Sequence, residues 1–276
     1  MEEIKLNMHN NNQLSILIFS CDAYRDCWEP MLHSLDTYWP DCPYHRYVIS
    51  NHASIEWKDT TFIKVGDHQG FGNDMRKALQ QIPTKYVMYF QEDNFLDTKI
   101  DNQIVSKHLS YCIDNRIDFL KLSYDALPRD RYRIGQTDYC QNPINIRYSI
   151  NTAVAIWDTK ALFTLSVPGF SIWDFEKKIL KYIQDNNINI NSQVLYSKVC
   201  KEKGITPILG NGIQGGKWTR KGVEFLRTHG FEHLICTRPI IGKVRTFLFE
   251  YSFIHRWSIP VCWTILKIMK RTKIGW

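Results

Sequence analysis

Short apolar runs that end abruptly in polar residues recur along the first third of this chain. Leu14 to Phe19 gives way to Ser20, Cys21 and Asp22, and "YHRYVISN" (44–51) likewise ends polar. "TFIKV" (61–65) is a shorter run, and Tyr86 to Phe90 stops at Gln91, Glu92, Asp93 and Asn94. Runs this short, rich in β-branched and aromatic residues, predict buried strands. Between them "WEPMLHSLDTYWP" (28–40) has helical spacing, with a proline in its first turn and another past its end. The glycine-bearing stretch 66–82 predicts a loop turning into a helix capped by Asn73 or Asp74. Strand alternating with helix over about 95 residues predicts a parallel sheet of the nucleotide-binding kind.

Farther on the pattern predicts a helix over 101–115, a strand over 118–124 and a polar loop over 125–145. Residues 147–158 read as a strand pair or bent strand. "TKALFTLS" reads as a helix, and 167–186 as a loop turning helical near Trp173. In open α/β sheets ligands bind outside the carboxyl ends of the strands, so acids at 92 and 93 have a site to serve as well as a loop to solvate.

Charge changes this picture at one place. From Arg238 onward eight Lys/Arg face a single acid, Glu250, so this tail carries +7, the net charge of the whole chain. The rest is near neutral, which excludes a nucleic-acid-binding body. The division expected is a domain over 1–236 and a basic, aromatic tail over 237–276. "VCWTILKIMKRTKIGW" (261–276) is too short and too charged to span a bilayer. On a helical wheel Thr264, Lys267, Lys270, Arg271 and Lys273 oppose Val261, Cys262, Ile265, Leu266, Ile268 and Met269. That pattern suits a helix lying on an anionic membrane leaflet, or one packed on the body.

Composition adds little: 44% apolar and 23% charged residues are ordinary for a globular protein. Eight cysteines form no CxxC pair or Cys/His zinc spacing. With an acidic, polar start lacking an apolar h-region, they are expected to be reduced thiols in the cytosol.

Four stretches in order carry a resemblance: "SCDAYRDCWEP" after the first strand, "GFGNDMRKAL", "YVMYFQEDNF", and "NTAVAIWD" with "GFSIWDFE". Over roughly residues 14–235 the chain resembles bacterial glycosyltransferases of the GT-A fold, above all those that build surface polysaccharide. The resemblance implies an α/β fold with a mixed, nucleotide-sugar-binding sheet flanked by helices. It implies a donor, most simply a UDP-sugar, whose diphosphate leaves under the influence of a divalent metal or of cationic groups. In that family a D-x-D triplet closes the fourth strand and holds the metal. Here the triplet is Gln91-Glu92-Asp93, so Asp93 and then Glu92 are the candidate ligands for Mn²⁺ or Mg²⁺. Gln91 departs from the pattern and leaves metal-independent transfer open. Arg76, Lys217 and Arg220 would then neutralise the diphosphate.

By the same resemblance Ser20 and Asp22 stand where the base or ribose is bound, although an aspartate there also suits a turn. An acid of "WDFE", Asp174 or Glu176, would be the general base of an inverting reaction. Two positions apart on a helix, the pair cannot share one face. Trp173 would stack on an acceptor sugar or serve as an ordinary core residue. The function expected is transfer of a sugar to a hydroxyl of a growing or lipid-linked glycan, by a peripheral enzyme on the inner face of the cell membrane. A sugar nucleotidyltransferase and a non-catalytic nucleotide-sugar-binding assembly partner are the alternatives.

Overall fold

The computed structural model describes residues 13–122, 132–146, 148–196 and 211–242. The chain divides into two compact units, 1–207 and 208–276. Within the first lie β1 (Leu14–Phe19), α1 (Trp28–Tyr38), β2 (Arg46–Ser50), β3 (Thr60–Lys64), α2 (Phe71–Leu79), β4 (Tyr86–Gln91) and α3 (Asn102–Asp114). They are followed by β5 (Phe119–Lys121), β6 (Tyr139–Gln141), β7 (Ala155–Asp158), α4 (Thr159–Leu165), α5 (Ile172–Asp185) and β8 (Ser192–Leu195). The strands form one eight-stranded sheet in the order β3-β2-β1-β4-β7-β5-β8-β6. The first four are mutually parallel. β7 is antiparallel to both β4 and β5, which makes the sheet mixed.

Alternation along each strand decides what each face meets. Leu17, Val87, Tyr89, Ala155 and Trp157 point to one side. There they pack with Met75 and Ala78 of α2, Leu162 and Leu165 of α4, and Phe175, Ile179 and Ile183 of α5. Their neighbours in β4 point the other way, where the Tyr86 hydroxyl donates to the Cys112 carbonyl of α3. On that face Trp28 of α1 packs its ring against Phe62, with centroids 5.0 Å apart. Helices therefore cover both faces, and the polar groups that finish the strands are left at the edge.

α2 begins at Phe71, earlier than the expected cap at Asn73 or Asp74. Gly70 is the N-cap, at φ 95, a left-handed conformation that glycine adopts without strain. Asp74 is buried and ties the preceding loop, accepting from the Gln69 N–H at 3.3 Å and bonding His68 Nδ1 at 2.5 Å. The backbone of α2 also touches that of the loop before α5, where the Gly72 N–H donates to the Phe170 carbonyl at 3.1 Å.

Two other expectations need correction, and one strand had not been expected at all. Part of the polar stretch 125–145 is the edge strand β6, which three residues of sheet pairing were enough to form. Only Ala155–Asp158 of the expected bent strand is extended, because 148–154 turns on itself before entering the sheet. β8 was missed, since "SQVL" is too short and mixed to stand out.

The second unit holds the β9–β10 hairpin (Ile213–Gln214, Lys217–Trp218) and α6 (Arg220–Thr228). Trp218 is fully buried in it, donating from its indole to the Leu234 carbonyl at 3.1 Å. The basic amphipathic segment 261–276 lies outside the described residues. No described helix is long and apolar enough to cross a membrane.

A methyl group at residue 72 would sit 1.8 Å from the Val167 carbonyl oxygen, and a backbone atom cannot step aside. Gly72→Ala is expected to destabilise by at least the about 1–3 kcal/mol of ordinary overpacking. The check is a lowered urea midpoint at unchanged m-value.

Candidate functional site

Parallel pairing of β1 with β4 sets Phe19 opposite Gln91, so both strands end at one level of the sheet. Immediately beyond β4 the chain turns sharply. The Gln91 N–H donates to Asn94 Oδ1 at 2.9 Å, and the Asn94 N–H donates back to the Gln91 carbonyl at 3.1 Å. Glu92 and Asp93 form the centre of that turn, Asp93 and Asn94 being buried and Glu92 half-buried. The acids that follow the apolar run are thus held in a tight, hydrogen-bonded corner.

Gln91 itself turns along the sheet edge. Its Nε2 donates to Thr152 Oγ1 at 2.8 Å, just before β7, and that hydroxyl donates to Glu176 Oε1 of α5 at 2.5 Å. The Thr152 N–H reaches the same carboxylate oxygen at 3.4 Å. This chain of bonds joins the end of β4 to the second turn of α5. Beside it lies the fully buried Tyr89 hydroxyl, close to the Gln91 amide but with no hydrogen bond of good geometry among the described residues. Burial first, and then the nearby Glu92, Glu176 and Asp93 carboxylates, hold that phenol well above its usual pKa, in spite of the adjacent Gln91 amide.

Asp22 occupies the neighbouring corner. Its Oδ1 accepts from the Asn51 N–H at 2.9 Å, and its Oδ2 from the N–H groups of His52 and Ala53 at 3.0 Å each. Asn51 Oδ1 answers by accepting from the Asp22 N–H at 3.1 Å. Burial pushes this carboxyl up, but the three N–H donors outweigh it and hold the pKa below the ordinary value. Asp22 therefore staples the loop after β1 to the loop after β2. The Ser20 hydroxyl accepts from the buried Trp28 indole N–H at 2.8 Å.

Asp174 and Glu176 separate as their helical spacing requires. Asp174 closes a capping box with Ser171, accepting from its N–H at 3.2 Å and its hydroxyl at 2.7 Å, while Ser171 Oγ accepts from the Asp174 N–H at 3.1 Å. It also pairs with Lys178 at 2.7 Å. Lys178 first and Ser171 second bring its pKa down to about 2. Glu176 faces inward to Thr152. Trp173 is 62% exposed at the start of the same helix, so it is no core tryptophan.

Arg76 is engaged elsewhere. Its Nη1 donates to the Phe163 carbonyl at 2.9 Å and its guanidinium lies 3.8 Å from the Phe163 ring centre, a seam between α2 and α4. The neighbouring Lys77 donates to the Val65 carbonyl at 3.0 Å. Lys217 and Arg220 belong to the second unit, in β10 and at the first position of α6. Among the described residues no three His, Cys, Asp or Glu side chains gather as a metal cluster. The adjacent carboxylates of Glu92 and Asp93 suit the smaller demand of Mg²⁺ or Mn²⁺, which take one or two protein carboxylates and complete their shell from substrate phosphates.

No family model and no curated protein matches this chain. Several solved structures align with it at low identity. Residues 1–349 of S. aureus TarS, in complex with UDP, align at 13% identity over 66% of this chain and 57% of that one, with a TM-score of 0.46. A cytidylyltransferase from Leptospira borgpetersenii aligns at 14% identity over 63% of this chain and 72% of that one, TM-score 0.38. The galactosyltransferase LgtC, with donor and acceptor sugar analogs, aligns at 12% identity over 81% and 82%, TM-score 0.35. The match to TarS spans less than two thirds of that chain. At such identities and overlaps the likeness assigns neither donor, acceptor nor mechanism.

Thr152, Asn51 and Tyr89 were not foreseen in the sequence. Thr152 lies in the "NTAVAIWD" stretch, where nothing in the sequence singles it out, and only the antiparallel entry of β7 beside β4 brings it to the site.

A depressed carboxyl pKa adds stability that is present above the ordinary value and lost as pH falls through the folded one. Asp174→Ala is therefore expected to lower the thermal midpoint at pH 7. The gap from wild type should close as pH drops from the ordinary 3.8 through about 2. Calorimetric scans of both proteins across that range are the check.

Proposed function

We propose that this chain is a glycosyltransferase that moves a sugar from a nucleoside-diphosphate donor, most simply a UDP-sugar, to a hydroxyl of a glycan acceptor, with inversion. The observation that carries the reading is the placement of Glu176. It is tied through Thr152 and Gln91 to the same strand end that presents Glu92 and Asp93. Two carboxylate groups with separate tasks thus meet at the carboxyl edge of the parallel strands, where ligands of such sheets bind.

The acceptor hydroxyl attacks the anomeric carbon, its proton passes to Glu176, and the bond from that carbon to the diphosphate oxygen breaks. The nucleoside diphosphate leaves from the opposite face of the sugar. Glu92 and Asp93 would hold Mn²⁺ or Mg²⁺, which when bound offsets the charge gathering on the diphosphate. Asp22, Asn51 and the backbone of 51–53 form a stiff wall for the base and ribose. Asp174, spent on Ser171 and Lys178, keeps the start of the helix in place and leaves the base role to Glu176. Trp173, exposed beside that helix start, offers an aromatic face to the acceptor sugar. Lys217 and Arg220 are the cations proposed to assist the diphosphate, and the basic segment 261–276 is proposed to hold the enzyme on the inner face of the cell membrane, where a lipid-linked acceptor would be found.

Calorimetry with UDP, GDP, CDP and TDP, each with Mn²⁺, Mg²⁺ or EDTA, tests this on wild type and Asp93→Asn. One nucleoside diphosphate is expected to bind with metal and to lose most of its affinity in the variant. Metal-independent binding unchanged by Asp93→Asn would move diphosphate recognition to basic side chains. Preference for a nucleoside triphosphate would favour nucleotidyl transfer, and no binding at all would sink the reading. In turnover assays Glu176→Gln should lose about 10²- to 10⁴-fold in kcat, with Asp174→Ala close to wild type.

A further inference from the structure

The Gln91–Thr152–Glu176 chain has a direction, and that direction assigns a role to a residue the reaction does not otherwise use. A threonine hydroxyl has one proton to give. If the Gln91 carbonyl faced Thr152, that oxygen and the Glu176 carboxylate would compete for the single proton, and one close contact would be acceptor against acceptor. With Nε2 facing Thr152, the amide donates at 2.8 Å and the hydroxyl proton goes to Glu176 Oε1 at 2.5 Å, so every contact is satisfied. The amide end of Gln91 can only donate, and therefore the hydroxyl proton is committed to Glu176.

A second bond from the same residue, from the Thr152 N–H at 3.4 Å, lands on that same oxygen. Oε1 is thus held twice by one residue, and Oε2 has no hydrogen-bond partner among the described residues. An ionised carboxylate held by one oxygen keeps the other oriented and able to take a proton. Thr152 is buried, and Gln91 is pinned by the turn through its own N–H and carbonyl, so the three groups have little freedom to drift.

We infer that Thr152 is a positioning residue, which fixes Glu176 through Oε1 so that Oε2 alone meets the reacting hydroxyl. Gln91 is the fixed donor that keeps the Thr152 proton pointed at Glu176. The amide that departs from the acidic triplet thus serves the base rather than the metal. This inference rests on the glycosyl-transfer reading and sharpens it.

The test uses the full-length protein and a panel of UDP-, GDP-, CDP- and TDP-hexoses, with water as acceptor, measuring release of the nucleoside diphosphate. The variants are Thr152→Val, which keeps the shape and removes the hydroxyl, Thr152→Ser, which restores it, and Glu176→Gln. Thr152→Val is expected to lose about 10- to 100-fold in kcat, with the donor KM and the thermal midpoint close to wild type. Thr152→Ser should recover most of the loss. If Glu176→Gln is inactive while Thr152→Val turns over like wild type, the positioning role is overturned and the transferase reading stands. If Thr152→Val raises KM or unfolds early and Thr152→Ser does not differ from it, Thr152 is a packing residue and the inference fails. If wild type releases no diphosphate from any donor, both fail together, and the reading of function is the first to go.

Discussion

The six-residue parallel pairing of β1 with β4 sets the level at which everything else is built. Each strand is buried on both faces along its apolar run, so a slip of one residue would exchange the side chains fitted to the two helix layers. That penalty locks Phe19 beside Gln91. Once the strands end together, the two loops that leave them start side by side. The staple made by Asp22 and the corner made by residues 91–94 are then neighbours by construction. The antiparallel arrival of β7 supplies the third participant, since only a strand running the other way brings its beginning to the end of β4.

Polar groups at this edge are nearly all committed to one another. The Asp22 carboxylate is spent on three backbone N–H groups, the Ser20 hydroxyl on the Trp28 indole, and the Gln91 amide on Thr152. A candidate site built this way is stiff before any ligand arrives. The buried Tyr89 hydroxyl is the exception. Among the described residues it makes no hydrogen bond of good geometry while facing the carboxylates, an arrangement that costs stability and places a polar group next to the candidate base.

Much of the fold was legible because burial writes a short period into sequence. The runs at 14–19, 44–51 and 86–90 announced β1, β2 and β4, and Gln91 through Asn94 announced the corner. Less could be read where tertiary context decides. "SQVL" becomes β8 because β5 and β6 flank it, and Tyr139–Gln141 becomes β6 because β8 offers an edge. Arg76 looked available for a diphosphate because its charge is visible in sequence, whereas the Phe163 ring and carbonyl that occupy it are 87 residues away. Glu176 and Asp174 were indistinguishable as letters. The capping box and the Lys178 pair distinguish them, since both depend on where the helix starts.

The close approach of Gly72 to the loop at 167–170 also bears on the order in which the molecule can assemble. Its two sides lie far apart in the chain, one before β4 and the other after β7. The alternating first half therefore cannot complete its α2 face while it is still emerging during synthesis. It must wait with Met75 and Ala78 uncovered until α4 and α5 follow. Contacts of such long separation slow folding and leave apolar surface exposed in the interval. A chain cut between β4 and β7 would lack both covering helices and present that open face to its neighbours.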